Sequence, residues 1–482
     1  MELTRDEFKL IYDQGFEATF AFVEQLLRST LEKMESLDTR VQQLEIQKNK
    51  DSHNSSKPPS TDGFKRLPRS LREPSDREPG GQQGHPGSTL DPVEEADAYV
   101  PHAPSACSHC GYSLEGVCPV SAEEGQVFDL PPVRPIVTSH LRLHVVCPHC
   151  QHEEKGEFPE GIRPGTQYGS AVKALAAYLL EAQFLSYDRA AECFQELFHL
   201  PVSQAALGDF LRDAYTRLSG VEAAIKKGLL EGCVLHVDET GMRIDSTLHW
   251  FHTASTATLT LYAHHARRGD QALREIALLP GFAGTAVHDA WAPYLKYPCR
   301  HALCNAHLLR ELIGLQEVTP QPWITRLLRF LRGLKQRVER SKAAGRTGFS
   351  PQQRARYEAV YARLIALGQQ QNPACPPSGK RGRTRQSAAY NLLARLDKYR
   401  AWVLAFAWDF SVPFDNNQAE RDLRMVKLRQ KISGCFRSTE GASWFCRIRG
   451  YISTLRKQGI SVLAALTSVF EGKPLMPKLV PG

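Results

Sequence analysis

CVLHVDETGMRIDSTLHWFHTASTATLTLYAHH, residues 233–265, is the stretch that decides the fold. It divides into three β-rich runs, 233–244, 249–256 and 259–265, separated by turn residues. A helical pattern follows at about residues 270–279. GTAVHDAWAPY (284–294) then reads as another strand, and HALCNAHLLRELIGLQE (301–317) as a strand running into a helix.

Three strands, helix, strand, helix, strand is the order of a ribonuclease-H-like α/β core. Residues 232–318 would be its first part. Residues 319–410 are largely helical, carry the basic loop PPSGKRGRTRQS, and read as an insertion. The core would resume at 411–458 with FDNNQAERDLRMVKLRQKISGCFRS (414–438), followed by a C-terminal tail at 459–482.

The chemistry lies in the carboxylates. Asp238 sits inside an apolar strand, where an unpartnered ionised carboxylate costs several kcal/mol. Asp289 repeats the arrangement at the end of GTAVHD. Glu420 offers a third carboxylate from a helix that Asp415, Asn416 or Asn417 would cap. Three carboxylates of this kind suit two Mg²⁺ or Mn²⁺ ions and in-line phosphoryl transfer. Glu420, Arg424, Lys427 and Lys431 share one helix side, and with Arg421 and Arg429 the cations form a candidate phosphate-binding run. An exposed basic helix with a Glu420–Arg424 pair is the alternative.

Residues 1–50 are helical in pattern. Leu27, Met34 and Val41 recur every seven residues, with Leu37 and Leu44 three after the last two. This seam reads as a coiled coil pairing two chains, or as one amphipathic helix packing on its own protein. Residues 51–95 form a Pro/Gly/Ser-rich basic linker, where Lys57, Lys65 and Arg66 would lie along DNA phosphate or simply solvate a tether. Residues 96–160 hold two C-x-x-C pairs, Cys107/Cys110 and Cys147/Cys150, flanking the β-like run GQVFDLPPVRPIVTSHLRLHVV (125–146). Four thiolates at this spacing suit a structural tetrahedral Zn²⁺. Residues 165–231 are helical, and RAAECFQELFHLPVSQAALGDFLRDA reads as a helix-turn-helix or an ordinary helical hairpin.

The bulk numbers agree with a multidomain globular protein. The chain has 482 residues, 42% hydrophobic and 23% charged, with a net charge of +8. No run reaches the ~18 apolar residues of a membrane span, and the charged N-terminus lacks an apolar signal core. A cytoplasmic, nucleoid-associated protein with no membrane partner is expected.

With these motifs together, the sequence resembles insertion-sequence-66 family transposases over nearly its whole length. NSSKPPSTD, GGQQGHPG, the double C-x-x-C, HVDETGMRI, LHWFHTAST, HARRG, VHDAWAPY, LCNAHLLREL, FDNNQAERDLRMVKLRQKISGCFRS and YISTLRKQG carry the resemblance. It implies a DDE transposase of a bacterial insertion sequence whose triad falls on Asp238, Asp289 and Glu420. It also implies that the N-terminal regions bind terminal inverted repeats in double-stranded DNA and that target DNA is joined at the same site; companion proteins, which this family's elements often encode, are candidate partners. DETGMRI stands where many members have DETPVRV, which bears on fine specificity and leaves the acidic positions intact. Cys304 and His307 form a C-x-x-H just after the second aspartate. They read as an auxiliary pair that steadies the strand or touches DNA, or as a packed Cys and a hydrogen-bonded His, and not as a zinc site. A metal-dependent nuclease of the same fold and a non-catalytic DNA-binding repressor are the rival readings.

Overall fold

A computed structural model describes residues 5–49, 90–131, 133–376, 384 and 386–479. They divide into two compact units, the larger drawn from the described residues of 5–49, 163–191 and 202–479, the other from those of 90–162 and 192–201. Lys57, Lys65 and Arg66, expected along DNA, lie outside the described residues, as does most of the basic loop at 376–387.

In the larger unit, α1 (Arg5–Tyr12) and α2 (Phe16–Asn49) come first. Leu27, Met34, Leu37 and Val41 of the heptad seam are all exposed. In the smaller unit, β1 (His144–Val146) pairs antiparallel with β2 (Glu153–Lys155). Only the last three residues of the β-like run at 125–146 are strand. Pro131 and Pro135 interrupt that run, since neither has an N–H to donate to a ladder.

The larger unit continues with α3 (Ser170–Ala177), a π-helical turn at Tyr178–Ala182, the start of α4 (Tyr187–Phe198), whose residues from Glu192 count with the smaller unit, then α5 (Gln204–Arg217) and α6 (Ser219–Glu231). Ser203 caps α5 by accepting the Ala206 N–H at 3.1 Å. The strands follow as β3 (Val234–Ile244), β4 (Thr247–Ser255), β5 (Thr260–His265), then α7 (Asp270–Ile276), β6 (Thr285–His288) and β7 (Arg300–Leu303). They make one mixed sheet in the order β5-β4-β3-β6-β7. The first three strands are antiparallel, and β3, β6 and β7 are parallel. The helix expected between the last two strands is absent; a single 3₁₀ turn, Tyr294–Lys296, makes that crossing.

A helical layer then intervenes: α8 (Asn305–Val318), α9 (Pro322–Ala343), α10 (Pro351–Gln371), α11 (Ala388–Lys398), α12 (Arg400–Val403) and α13 (Ala405–Trp408). Its core packs Trp323, Leu327, Leu331, Leu334 and Val338 of α9 against Tyr361, Leu393, Phe406 and Phe410. The two ends of the excursion meet, because the Asn305 N–H donates to the Phe414 carbonyl at 3.0 Å. The Asn305 side chain also reaches the Val403 carbonyl at 3.0 Å.

The chain returns through α14 (Asn417–Ser433), α15 (Thr439–Lys457) and α16 (Val462–Phe470). Phe251, Tyr262, Leu423, Val426, Phe436 and Phe445 form one buried cluster where α14 and α15 cover the sheet. A Cβ at Gly450 would stand 3.2 Å from the Thr260 carbonyl, so this glycine sets how closely α15 approaches β5. Residues 459–482, expected as a tail, instead supply a packed helix, with Ala465, Leu466, Val469 and Phe470 of α16 buried. Helices α5 and α6 are tied to α15 by Arg447, which donates to the Glu222 carboxylate at 2.8 Å and the Tyr215 carbonyl at 2.7 Å. No described helix is long and apolar enough to cross a membrane.

Candidate active site

Register brings the two aspartates together. In the parallel β3–β6 pair, Val234 faces Thr285 and His236 faces Val287. Continued two residues further, that register sets Asp238 level with Asp289, on the same side of the sheet. Asp289 follows β6 directly and accepts the Trp291 N–H at 2.9 Å. Between them Ala290 is held at φ 71°, a left-handed conformation that a non-glycine residue adopts at a local cost. The strand end is fixed by His288, whose Nδ1 accepts the Ala290 N–H at 3.0 Å and whose Nε2 lies 3.0 Å from His301 Nδ1 on β7.

Glu420 arrives from the first turns of α14. The segment before that helix is locked by Asn416, which is buried. Its Nδ2 donates to the Val237 carbonyl at 2.9 Å, and its Oδ1 accepts from His236 Nδ1 at 2.9 Å. Its backbone N–H donates to Cys304 Sγ at 3.1 Å. Asn416 holds the N-cap position without making a side-chain cap; Asp415 Oδ1 accepts the Asn417 N–H at 3.2 Å instead.

The electrostatics are lopsided. Burial pushes the Asp238 carboxyl well above the usual carboxylate range, and the charges of Glu239, Asp289 and Glu420 push it further. One hydrogen bond, from the Glu239 N–H at 2.9 Å, opposes the shift. A half-buried carboxylate raised by carboxylates from other elements is the donor set a hard divalent cation completes. The expected triad therefore fits a cation by its chemistry.

Two side chains on α8 attend Glu420. Arg310 Nη2 donates to its carboxylate at 3.2 Å, and His307 Nδ1 lies 3.8 Å away. Burial, followed by the Arg310 charge, drives His307 down to about 4, so its ring is neutral at pH 7. Cys304 is buried, and desolvation with the Glu420 charge pushes its thiol up to about 12. Among the described residues, Cys304, His307 and Glu420 are the one group of three whose ligand atoms all lie within 4.8 Å of one another. The three carboxylates are set wider than that.

Sequence reasoning assigned no role to Glu239, although it adjoins Asp238. Its side chain is 2% exposed. Arg268 donates to it through Nε at 3.0 Å and Nη2 at 2.7 Å, and the Tyr294 hydroxyl also donates to it. Arg268 in turn lies between two rings, 4.7 Å from Trp250 and 4.4 Å from Trp291. A network thus runs from the residue after Asp238 to the residue two after Asp289. Its signal in the sequence is the acidic–acidic step DE and the arginine pair of HARRG.

The cations of α14 divide. Arg421, Arg424 and Lys431 are exposed. Lys427 is turned inward to the Gly241 carbonyl of β3, and burial lowers its pKa. Arg429 lies 3.8 Å over the Phe436 ring and donates to the Gly434 carbonyl at 3.2 Å. Lys427 and Arg429, expected at phosphate, are engaged by the protein itself, because α14 packs that side onto β3 and the aromatic cluster.

In the smaller unit each cysteine pair sits in the same tight turn. The Cys107 N–H donates to the Tyr112 carbonyl and the Gly111 N–H to the Cys107 carbonyl; Cys147 repeats this with His152 and Gln151. Turn N–H groups from Cys110 and His109 lower the Cys107 thiol, and those of Cys150 and His149 lower Cys147. Thiols poised toward thiolate fit zinc. The two turns stand as separate knuckles and do not form a group of three close ligand atoms.

A family model described as transposase IS66 family matches residues 165–444. One described as the zinc-finger binding domain of transposase IS66 matches residues 104–151, and a family of unknown function matches residues 14–91. No curated protein matches the chain.

Proposed function

Because the chain belongs to the transposase IS66 family, a family of DDE enzymes that catalyse DNA transposition, we propose a specific course for this member. It binds the terminal inverted repeats of a bacterial insertion sequence, cleaves DNA at the element ends and joins the 3′-hydroxyls to target DNA. Asp238, Asp289 and Glu420 are the residues that would hold Mg²⁺ or Mn²⁺. When bound, divalent cations would supply charge stabilisation for an in-line phosphoryl displacement.

The observation that carries this reading is the half-buried Asp238 carboxyl, level in register with Asp289 on the neighbouring strand and raised by the charge of Glu420 on a helix. The rest of the site holds these groups still. Asn416 ties the Glu420 helix to β3, and the Glu239–Arg268 pair braces the loop after Asp289. Arg310 balances Glu420 and orients its carboxylate. Arg421, Arg424 and Lys431 are the α14 cations free to meet phosphate. Cys107, Cys110, Cys147 and Cys150 are proposed to share a structural Zn²⁺, and the exposed seam of α2 supports pairing of two chains.

The test is strand transfer by purified protein on duplexes carrying the element's terminal repeats, with Mg²⁺ or Mn²⁺. Joined products that vanish with Asp289→Asn are expected. Cleavage without joining would leave a nuclease of the same fold, and metal-independent binding alone would leave a repressor.

A further inference from the structure

The helical layer carries a charge distribution that the carboxylate site does not use. Helix α9 holds seven Lys/Arg residues and one Glu, a net +6 on 22 residues, where the whole chain has +8. Its inner face is apolar, with Trp323, Leu327, Leu331, Leu334 and Val338 all buried. Arg326, Arg329, Arg332 and Arg340 are exposed on the other side. At 3.6 residues per turn these four fall within an arc of about 120° and extend over about 21 Å of helix. None of them makes an ion pair among the described residues.

A face that only solvates a helix mixes signs and pairs them at i, i+4. Here the sole acid, Glu339, is 3.8 Å from Lys335, and nothing offsets the arginines. Like charges three and four apart destabilise a helix by ~0.2–0.5 kcal/mol per pair, a cost that a polyanion laid along the face removes. The face is also fixed relative to the candidate active site. Lys335 lies 5.1 Å over the Phe414 ring and 4.0 Å from Asp415, just before the Glu420 helix, and the buried leucines of α9 share a core with Phe414.

We propose that the outer arginine face of α9 binds the phosphate backbone of duplex DNA, as a second contact surface apart from α14. The proposal rests on the reading of the chain as a DNA-joining enzyme and adds where the duplex lies. Contacts made only to phosphate are sequence-neutral, so this surface would grip the duplex whatever its sequence.

The experiment uses the full chain and fluorescence anisotropy with a fluorescein-labelled random-sequence duplex in EDTA, over a KCl series. Arg326, Arg329, Arg332 and Arg340 are changed together to Gln. Each lost phosphate contact lowers the salt slope by ~0.9, so the variant's slope should fall by about 3 to 4. A companion variant with Lys at all four positions should keep the wild-type slope. Joined products should be lost in the Gln variant at 150 mM KCl, about physiological ionic strength, and regained at low salt. An unchanged slope with intact joining overturns this proposal alone. Equal or tighter binding of single-stranded RNA, abolished by the same variant, overturns the duplex assignment. Wild type that binds no duplex at any salt overturns the enzyme reading with it.

Discussion

Asp238→Asn should make the metal-free protein more stable while removing its activity. The carboxyl is half-buried, is raised by desolvation and by three acidic neighbours, and has one hydrogen bond in its favour, from the Glu239 N–H at 2.9 Å. Asn keeps that acceptor and loses the charge. A buried polar group short of its partners costs ~1–3 kcal/mol, and more when charged, so neutralisation should return about 2 kcal/mol at pH 8 in EDTA. At about 2.1 cal/mol/K of unfolding entropy per residue, that is about 2–3 °C in the unfolding midpoint for a unit of this size. The sign with pH follows from linkage. The folded carboxyl titrates above its unfolded value, so the folded state binds more protons and wild-type stability falls as pH rises through that interval. The gain from Asn should therefore be largest at pH 8 and shrink toward pH 4. Added Mg²⁺ should reverse the order, because a cation bound at 100 times its Kd stabilises wild type by ~2.7 kcal/mol and the variant by much less. Thermal unfolding at pH 8 and pH 5, with EDTA or Mg²⁺, reads all three effects. A variant less stable than wild type in EDTA at pH 8 would refute the reasoning, since the acidic cluster would then not be repulsive.

Arg268→Ala should destabilise by about 2–3 kcal/mol in urea unfolding. Breaking a buried pair costs ~3–5 kcal/mol, and the 41% exposure of Arg268 lets water reach Glu239 and reduces that figure. Adding Glu239→Gln to the same chain should recover at least half of the loss. Lys457→Met should cost about 3 kcal/mol by leaving Asp422, whose side chain is 10% exposed and 2.8 Å from the ammonium, without its partner. Gly284→Ala should cost about 3 kcal/mol, because its Cβ would stand 2.6 Å and 2.7 Å from the Cys233 and Gly232 carbonyls. Protein purified without chelator should contain one Zn²⁺ per chain by mass spectrometry, and Cys147→Ser should lose it while the salt slope for random duplex stays unchanged.

What could be read from residues alone was set by local rules. Alternating strands, the capped start of α14 and the paired cysteines each announce themselves within a dozen residues, and Asp238 stood out because its neighbours are apolar. Orientation could not be read in the same way. Lys427 and Arg424 look alike on a helical wheel, and only the packing of α14 on β3 decides that one meets the Gly241 carbonyl and the other solvent. Asn416 was legible as a cap candidate, but its side chain is spent on His236 and Val237, some 180 positions earlier in the chain. Glu239 was passed over because its partner, Arg268, belongs to a loop after β5 whose path follows from the sheet. The C-terminal helix α16 was read as part of a tail, although Ser461 caps it by accepting the Ala464 N–H at 3.4 Å.

The hydrogen bond that joins Asn305 to Phe414 also orders events in time. During synthesis, at about 5–20 residues per second, the strands bearing Asp238 and Asp289 appear first. Glu420 follows only after the whole helical layer, and closing so long a loop has an entropic cost that the buried core of α9 to α13 must offset. A chain halted within the helical layer therefore carries Asp238 and Asp289 without Glu420. On the proposed three-carboxylate reading, the site would be complete only after the helical layer has been made.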